Sequence, residues 1–111
     1  MQNIQAVKAQ IPIDYEKIAE FCQHWKITEF ALFGSILRDD FRLESSDIDV
    51  LVSFAHDTHW TLFDLVDMEE DIQKIFQRKV DLVSRRGIER SQNYLRRQAI
   101  LNSAKVIYAA A

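Results

Sequence analysis

Asp47 and Asp49 stand two apart at the head of an apolar run that continues Val50-Leu51-Val52. A run so rich in β-branched residues reads as a strand over 48–54, and on a strand residues i and i+2 share a face. Two carboxylates side by side repel unless a cation lies between them. Oxygen-only ligation suits Mg²⁺ or Mn²⁺ better than zinc. Taken alone, an Asp-x-Asp pair more often marks a strand end where both carboxylates face water. Upstream, Gly34-Ser35 closes the short apolar run Phe30-Ala31-Leu32-Phe33. Glycine lets a phosphate approach the backbone closely, and the free amides at a helix start attract an anion. Ser35 adds a hydroxyl, and Arg38 follows one turn later. By itself this pair is a plain turn with Ser35 as its cap. Downstream, Asp81 interrupts the apolar segment Val80–Val83 and could add a third carboxylate from a neighbouring strand. Together these parts supply what phosphoryl or nucleotidyl transfer requires, which is positioning of phosphates and neutralisation of charge. Three carboxylates can hold two cations roughly 3.5–4 Å apart, which would clamp the attacking and leaving oxygens.

Regular elements must hold these residues in place, and the sequence supplies few breakers: glycine only at 34 and 87, proline only at 12. Residues 12–26 read as a helix with Pro12 in its first turn, presenting Tyr15, Ile18, Cys22 and Trp25 on one face. Cys22 is then core filler. Residues 30–33 and 48–54 read as strands, and Ser35 is placed as cap of a short helix over 36–40. Thr61-Leu-Phe-Asp64 has the form of a capping box. It opens a helix to about Gln77, with Leu62, Leu65, Val66, Ile72, Ile75 and Phe76 apolar. Phe63 is assigned to the core, and Trp60 is left open between base contact, partner contact and packing. Val80–Val83 is a third strand, and 88–101 a last helix with Ile88, Leu95, Ala99 and Gln92 facing in. Residues 106–108 close the sheet or form an ordered tail, and the apolar end through Ala111 could instead dock a partner. The order of elements predicts a sheet covered by helices, the α/β (α+β) class.

Length and composition fit a single domain spanning residues 1–111. The chain is 48% hydrophobic and 28% charged with a net charge of −3, the balance of an ordinary globular protein. No apolar run approaches the roughly 20 residues of a membrane helix, and the start lacks the pattern of a signal peptide, so a cytoplasmic location is expected. A lone cysteine excludes an internal disulfide and a cysteine metal cage. His56 and His59 are not needed as ligands once the aspartates hold the metal. Charge is unevenly spread: from Arg78 onward eight Lys/Arg face two acids, while residues 1–77 hold six and fifteen. That basic third is either a solvated helix face or a surface for phosphate or an acidic partner.

With these residues in hand, the chain resembles a known family. Gly34-Ser35, a spacer, then Asp47-Ile48-Asp49 is similar to the G-S-x-D-x-D signature of the DNA polymerase β-like nucleotidyltransferases. The wording FGSILRDDFRLESSDIDVLVSF is similar to the minimal nucleotidyltransferases of the MNT/MntA type. Thr61–Val66, Arg78–Val83 and Leu95–Leu101 follow the same layout, so the resemblance spans about residues 13–108. It implies a small mixed β-sheet flanked by helices, the polymerase β-like palm. It further implies Asp47, Asp49 and Asp81 as catalytic metal ligands for two Mg²⁺ ions, and Gly34, Ser35 and Arg38 as the grip on the triphosphate. The third carboxylate would be the natural base for the attacking hydroxyl. One departure is visible: the family spacer is commonly ten residues, and here Ile36–Ser46 is eleven. A surface loop absorbs one insertion cheaply.

The resemblance also implies a setting. Family members of this size act with a separate HEPN-domain protein, an RNase toxin. The nucleotidyltransferase is its antitoxin and transfers AMP from ATP to a tyrosine of the toxin. A hetero-oligomer would follow, touching nucleic acid only through the toxin and no membrane. Two other readings stand beside it: nucleotidyl transfer to a small, aminoglycoside-like molecule, and a non-catalytic module that neutralises a toxin by binding.

Overall fold

The structure, a computed structural model, describes residues 2–110. Ala111, the end of the apolar tail considered above, lies outside them. The elements in chain order are β1 (Gln2–Ile4), α1 (Tyr15–His24), β2 (Ile27–Phe33), a 3₁₀ turn (Gly34–Leu37), β3 (Ile48–Phe54), α2 (Leu62–Phe76), β4 (Val80–Ser84), α3 (Arg85–Glu89), α4 (Tyr94–Ser103) and β5 (Lys105–Ala110). The strands form one sheet in the order β1-β5-β2-β3-β4. All neighbours run antiparallel except β3 and β4, which are parallel and joined through α2. The mixed sheet with flanking helices is the α+β architecture expected. No described helix is long and apolar enough to cross a membrane.

Each strand divides its side chains between two faces. Phe30 and Leu32 of β2 join Ile48, Val50 and Val52 of β3 in a core covered by Ile18, Phe21 and Cys22 of α1 and Met68 and Ile72 of α2. Ala31 and Phe33 join Leu51 on the opposite face, where Ile88 of α3 and Ile100 of α4 close a smaller core. Cys22 is fully buried, and burial pushes its thiol far above the ordinary range, which fits a packing role.

Local chemistry moves several boundaries. α1 begins at Tyr15, not Pro12, because the Asp14 carboxylate accepts from the Lys17 amide at 3.1 Å and fixes the start there. Ser35 does not cap a helix over 36–40: it lies inside the 3₁₀ turn, which has no side-chain cap. The capping box of α2 is present as expected, with Asp64 accepting from the Thr61 amide at 2.8 Å and Thr61 accepting from the Asp64 amide. Leu62, Phe63 and Val66 nevertheless face solvent, while Leu65 is half-buried and Met68, Ile72 and Phe76 are buried. The face that packs is thus rotated from the one expected.

The single last helix is two. Ser84 caps α3 through the Gly87 amide, and Asn93 starts α4 afresh through the Arg96 amide. The restart shifts the helical phase, so Leu95 and Ala99 point outward with Gln92, and Ile100 and Leu101 face in. At the C-terminal end, 106–108 belongs to a longer strand, β5. Its outer partner β1 lacks any strong local signal and was not foreseen.

Trp60 packs. Its indole N–H donates to the Trp25 carbonyl at 3.1 Å, and the two rings meet edge to face at 5.3 Å. The Trp25 indole in turn donates to Asp71 on α2.

Candidate active site

The register of the sheet brings Asp49 and Asp81 to one face. Phe33 is opposite Asp49 across the antiparallel pair, and Asp49 is opposite Asp81 across the parallel pair. Phe33 belongs to the smaller core under α4, so Asp49 and Asp81 open on that same side, just beyond where the core ends. Asp47 lies two residues earlier, immediately before β3, and is near enough for its charge to act on Asp49. Exposure grades across the set: Asp47 and Asp49 are half-buried, and Asp81, on the outermost strand, is exposed.

Gly34 explains how Asp49 is seated. Its φ of +76° is in the left-handed region that glycine adopts freely. A Cβ added there would overlap the Asp49 carboxylate and stand 3.3 Å from its Cγ. The glycine therefore serves the turn and clears the space that the carboxylate occupies. The turn itself is tied down from outside, since the Gln10 amide donates to the Ile36 carbonyl at 3.0 Å. Ser35, half-buried, accepts the Arg38 amide on its carbonyl at 2.9 Å.

The carboxyl of Asp49 is raised above its ordinary value of 3.8. Burial is the main cause, the charges of Asp81 and then Asp47 add to it, and Arg38 and Arg96 oppose it. Negative charge is thus crowded beyond what the local arginines offset. Arg38 itself is exposed and forms an ion pair with Asp40 at 3.0 Å, which lowers the Asp40 carboxyl. Arg96 was counted only within the basic third of the chain. It lies one turn before Ile100, and helical spacing sets it on the same side of α4, toward the aspartates.

The loop that delivers Asp47 carries the extra spacer residue, and it is ordered by hydrogen bonds. The Arg42 amide donates to Ser46 Oγ at 2.9 Å, and the Ser46 amide donates back to the Arg42 carbonyl at 2.8 Å. Arg78, just ahead of β4, donates to the Ser46 carbonyl at 3.4 Å and stacks over Phe41 at 5.1 Å. It pins the loop beside Asp47, a role no local motif signals, because its partners are more than thirty residues away.

Among the described residues, no three His, Cys, Asp or Glu side chains converge tightly enough to form a finished metal cage. The donor set nonetheless fits a hard cation: it is all oxygen, crowded and short of positive charge. Mg²⁺ is commonly held by one or two carboxylates with substrate phosphates and water completing its shell.

The comparisons with known proteins bear on the family and the fold. The model of the nucleotidyltransferase domain family matches residues 15–107. A protein of Methanocaldococcus jannaschii, provisionally named a protein adenylyltransferase, is 34% identical over 88 residues, covering 79% of this chain and 84% of its own. A solved structure described as a minimal nucleotidyltransferase is 30% identical with a TM-score of 0.63, covering 82% of this chain and 86% of its own. A chain from the complex of tri-AMPylated Shewanella oneidensis HEPN toxin with MNT antitoxin shares the fold, with a TM-score of 0.58 at 19% identity over 86% of this chain and 70% of its own. The mixed sheet with its flanking helices is the fold of the minimal nucleotidyltransferase structure. The chain belongs to the nucleotidyltransferase domain family and is a minimal nucleotidyltransferase.

Proposed function

We propose that this chain transfers AMP from ATP to a tyrosine hydroxyl of a HEPN-domain RNase toxin, and so acts as that toxin's antitoxin. The observation that carries the catalytic part is the seating of Asp49 against Gly34, with Asp47 and Asp81 charged beside it. The protein acceptor rests on the relatives: one is named for protein adenylylation, and a structural neighbour comes from a complex with an AMPylated HEPN toxin.

In this reading Asp47, Asp49 and Asp81 would hold Mg²⁺, as two ions, which would supply charge neutralisation for the triphosphate. The backbone at Gly34 and Ser35, with the Ser35 hydroxyl, grips the phosphates, and Arg38 exchanges Asp40 for a phosphate oxygen. Asp81 stands at the exposed rim, where an incoming protein side chain can reach it. It takes the proton of the tyrosine hydroxyl as the oxygen bonds to the α-phosphorus. The bond from the α-phosphorus to the bridging oxygen breaks, and pyrophosphate leaves with the electron pair. The AMP added to the toxin brings negative charge that repels RNA.

The test is incubation with the co-expressed HEPN-domain protein, Mg²⁺ and ATP labelled on the α-phosphate, read as label and intact mass on each chain. AMP-sized additions on tyrosine, absent with Asp47→Asn, are expected. A stable complex without label would leave a binding module in place of an enzyme. Label on neither chain, with no complex, would direct the search to small-molecule acceptors.

A further inference from the structure

The end of the sheet away from the aspartates carries a surface that the chemistry does not use. From Asp49, β3 runs five residues to Phe54, roughly 17 Å at about 3.3 Å per residue. There a groove of about 710 Å³ opens, lined by the apolar Phe54, Trp60 and Leu65 and by Arg85 and Arg86, with Glu89 as its one acid. A second hollow of about 310 Å³ shares Phe54, Leu65 and Ser84 with it and extends along the sheet edge to Ile88. That edge is β4, which has no strand beyond it among the described residues. On the helix side the apolar surface continues past the groove. Leu62, Leu65 and Val66 share one face of α2 by spacing, and Leu62, Phe63 and Val66 are 80%, 84% and 56% exposed.

We propose that this groove and its exposed lip are the docking surface for the protein acceptor, receiving a segment that sets an apolar side chain beside carboxylates. It rests on the reading of the acceptor as a protein. The apolar lining takes the anchor, and Arg85 and Arg86 meet the acidic flank. A small ligand in the groove would leave Leu62, Phe63 and Val66 in water, whereas a protein covers groove and lip together. A second copy of this chain is the competing occupant, because a closed dimer would set the same patch against itself, and the sedimentation arm of the test separates it from the acceptor. The distance from Asp49 divides the work: this end anchors the partner's body, and the modified residue reaches the aspartates from elsewhere on the partner.

The experiment measures the affinity of the co-expressed HEPN-domain protein for the full chain by titration calorimetry, with AMP transfer followed in parallel. Three variants are compared: Leu62→Asp with Phe63→Asp, Arg86→Glu, and Asp47→Asn. The altered positions in the first two are exposed, and acidic residues in the first turn of α2 agree with its dipole, so folding is retained and is checked by melting. The first two are expected to raise the dissociation constant at least tenfold, while Asp47→Asn binds as wild type and transfers nothing. Affinity within twofold of wild type in both surface variants overturns the docking surface and leaves the reading of the acceptor intact. A wild type that neither binds nor labels the HEPN protein overturns both. If sedimentation shows self-association that the surface variants abolish while HEPN binding is unchanged, the patch belongs to a second copy and the proposal is overturned.

Discussion

The two faces of this sheet are built from the same strands and do different work. On one, Phe30, Leu32, Val50 and Val52 meet α1 and α2 in a core with no charged side chain buried in it among the described residues. On the other, Ala31, Phe33 and Leu51 make a smaller core that stops short, and Asp49 and Asp81 take the next positions in the same register. The two-residue period of a strand keeps these jobs apart. A slip of one residue would put the carboxylates among Leu32 and Ile18 and turn the core to water. Stability is concentrated on the first face, which leaves the second free to hold charge at close quarters.

That division can be broken from either side. Phe30 is fully buried, so Phe30→Ala is expected to lower unfolding free energy by about 3–5 kcal/mol. Well below its melting point the folded fraction keeps its turnover. Denaturant melts paired with single-turnover transfer assays check both halves. A Phe30→Ala protein of normal stability, or one folded but inactive, would mean that the faces are not independent. Asp47→Asn with Asp49→Asn is the converse. In the proposed role of these carboxylates, their loss is expected to cut AMP transfer on the order of 10³-fold, about 4 kcal/mol of barrier, with no loss of fold. Removal of Mg²⁺ by EDTA is expected to reproduce that loss in the wild type and to change nothing further in the variant.

Gly34→Ala sharpens the boundary between the faces, since Gly34 is where the turn and the carboxylate meet. The φ of +76° costs an L-residue roughly 1–2 kcal/mol, and the new Cβ displaces the Asp49 carboxylate. Stability and transfer are both expected to fall, the transfer by more than the folded fraction explains. A variant that melts lower yet transfers at the wild-type rate per folded molecule would separate Gly34 from the site.

The site was more legible than the packing around it. Asp49, Gly34 and the Thr61–Asp64 box are short-range patterns whose geometry follows from spacing alone, and the structure places each where that spacing implies. Asp81 entered as a carboxylate that a neighbouring strand could add, and the parallel pairing that sets it opposite Asp49 is visible only in the structure. Helix faces fared worse. Leu62, Phe63, Leu95 and Ala99 are apolar and suitably spaced, yet they face out. A cap at Asn93 resets the phase of α4, and a capping box fixes where α2 enters, and neither tells which stripe the sheet will cover. β1 was missed because three residues paired to a terminal strand carry no pattern of their own. Arg78 and Arg96 read as members of a basic run because their partners are distant in sequence.

The smallest expected effect has the opposite sign from the rest and tests whether the charged face is held at a cost. In the fold the Asp49 carboxyl titrates above its ordinary 3.8, through burial and the neighbouring Asp81 and Asp47. Between 3.8 and that raised value the native chain carries more protons than the unfolded one, so stability falls as pH rises through this window. Below 3.8 both states are protonated and the penalty is absent. Above the raised value it is present in full. Asp49→Asn removes the charge, so in chelator at pH 7 the variant is expected to melt above the wild type, and the gap should close as the buffer is taken toward pH 3.8. Mg²⁺ should raise the wild type and narrow the gap from the other direction, since a cation among the carboxylates relieves the same repulsion. An Asp49→Asn protein less stable than wild type at pH 7 in chelator would show that the carboxylate is a structural asset, and the separation of the two faces would fail at this residue. The expected outcome instead makes Asp49 a residue whose loss ends transfer and strengthens the fold, as a side chain retained for chemistry should behave.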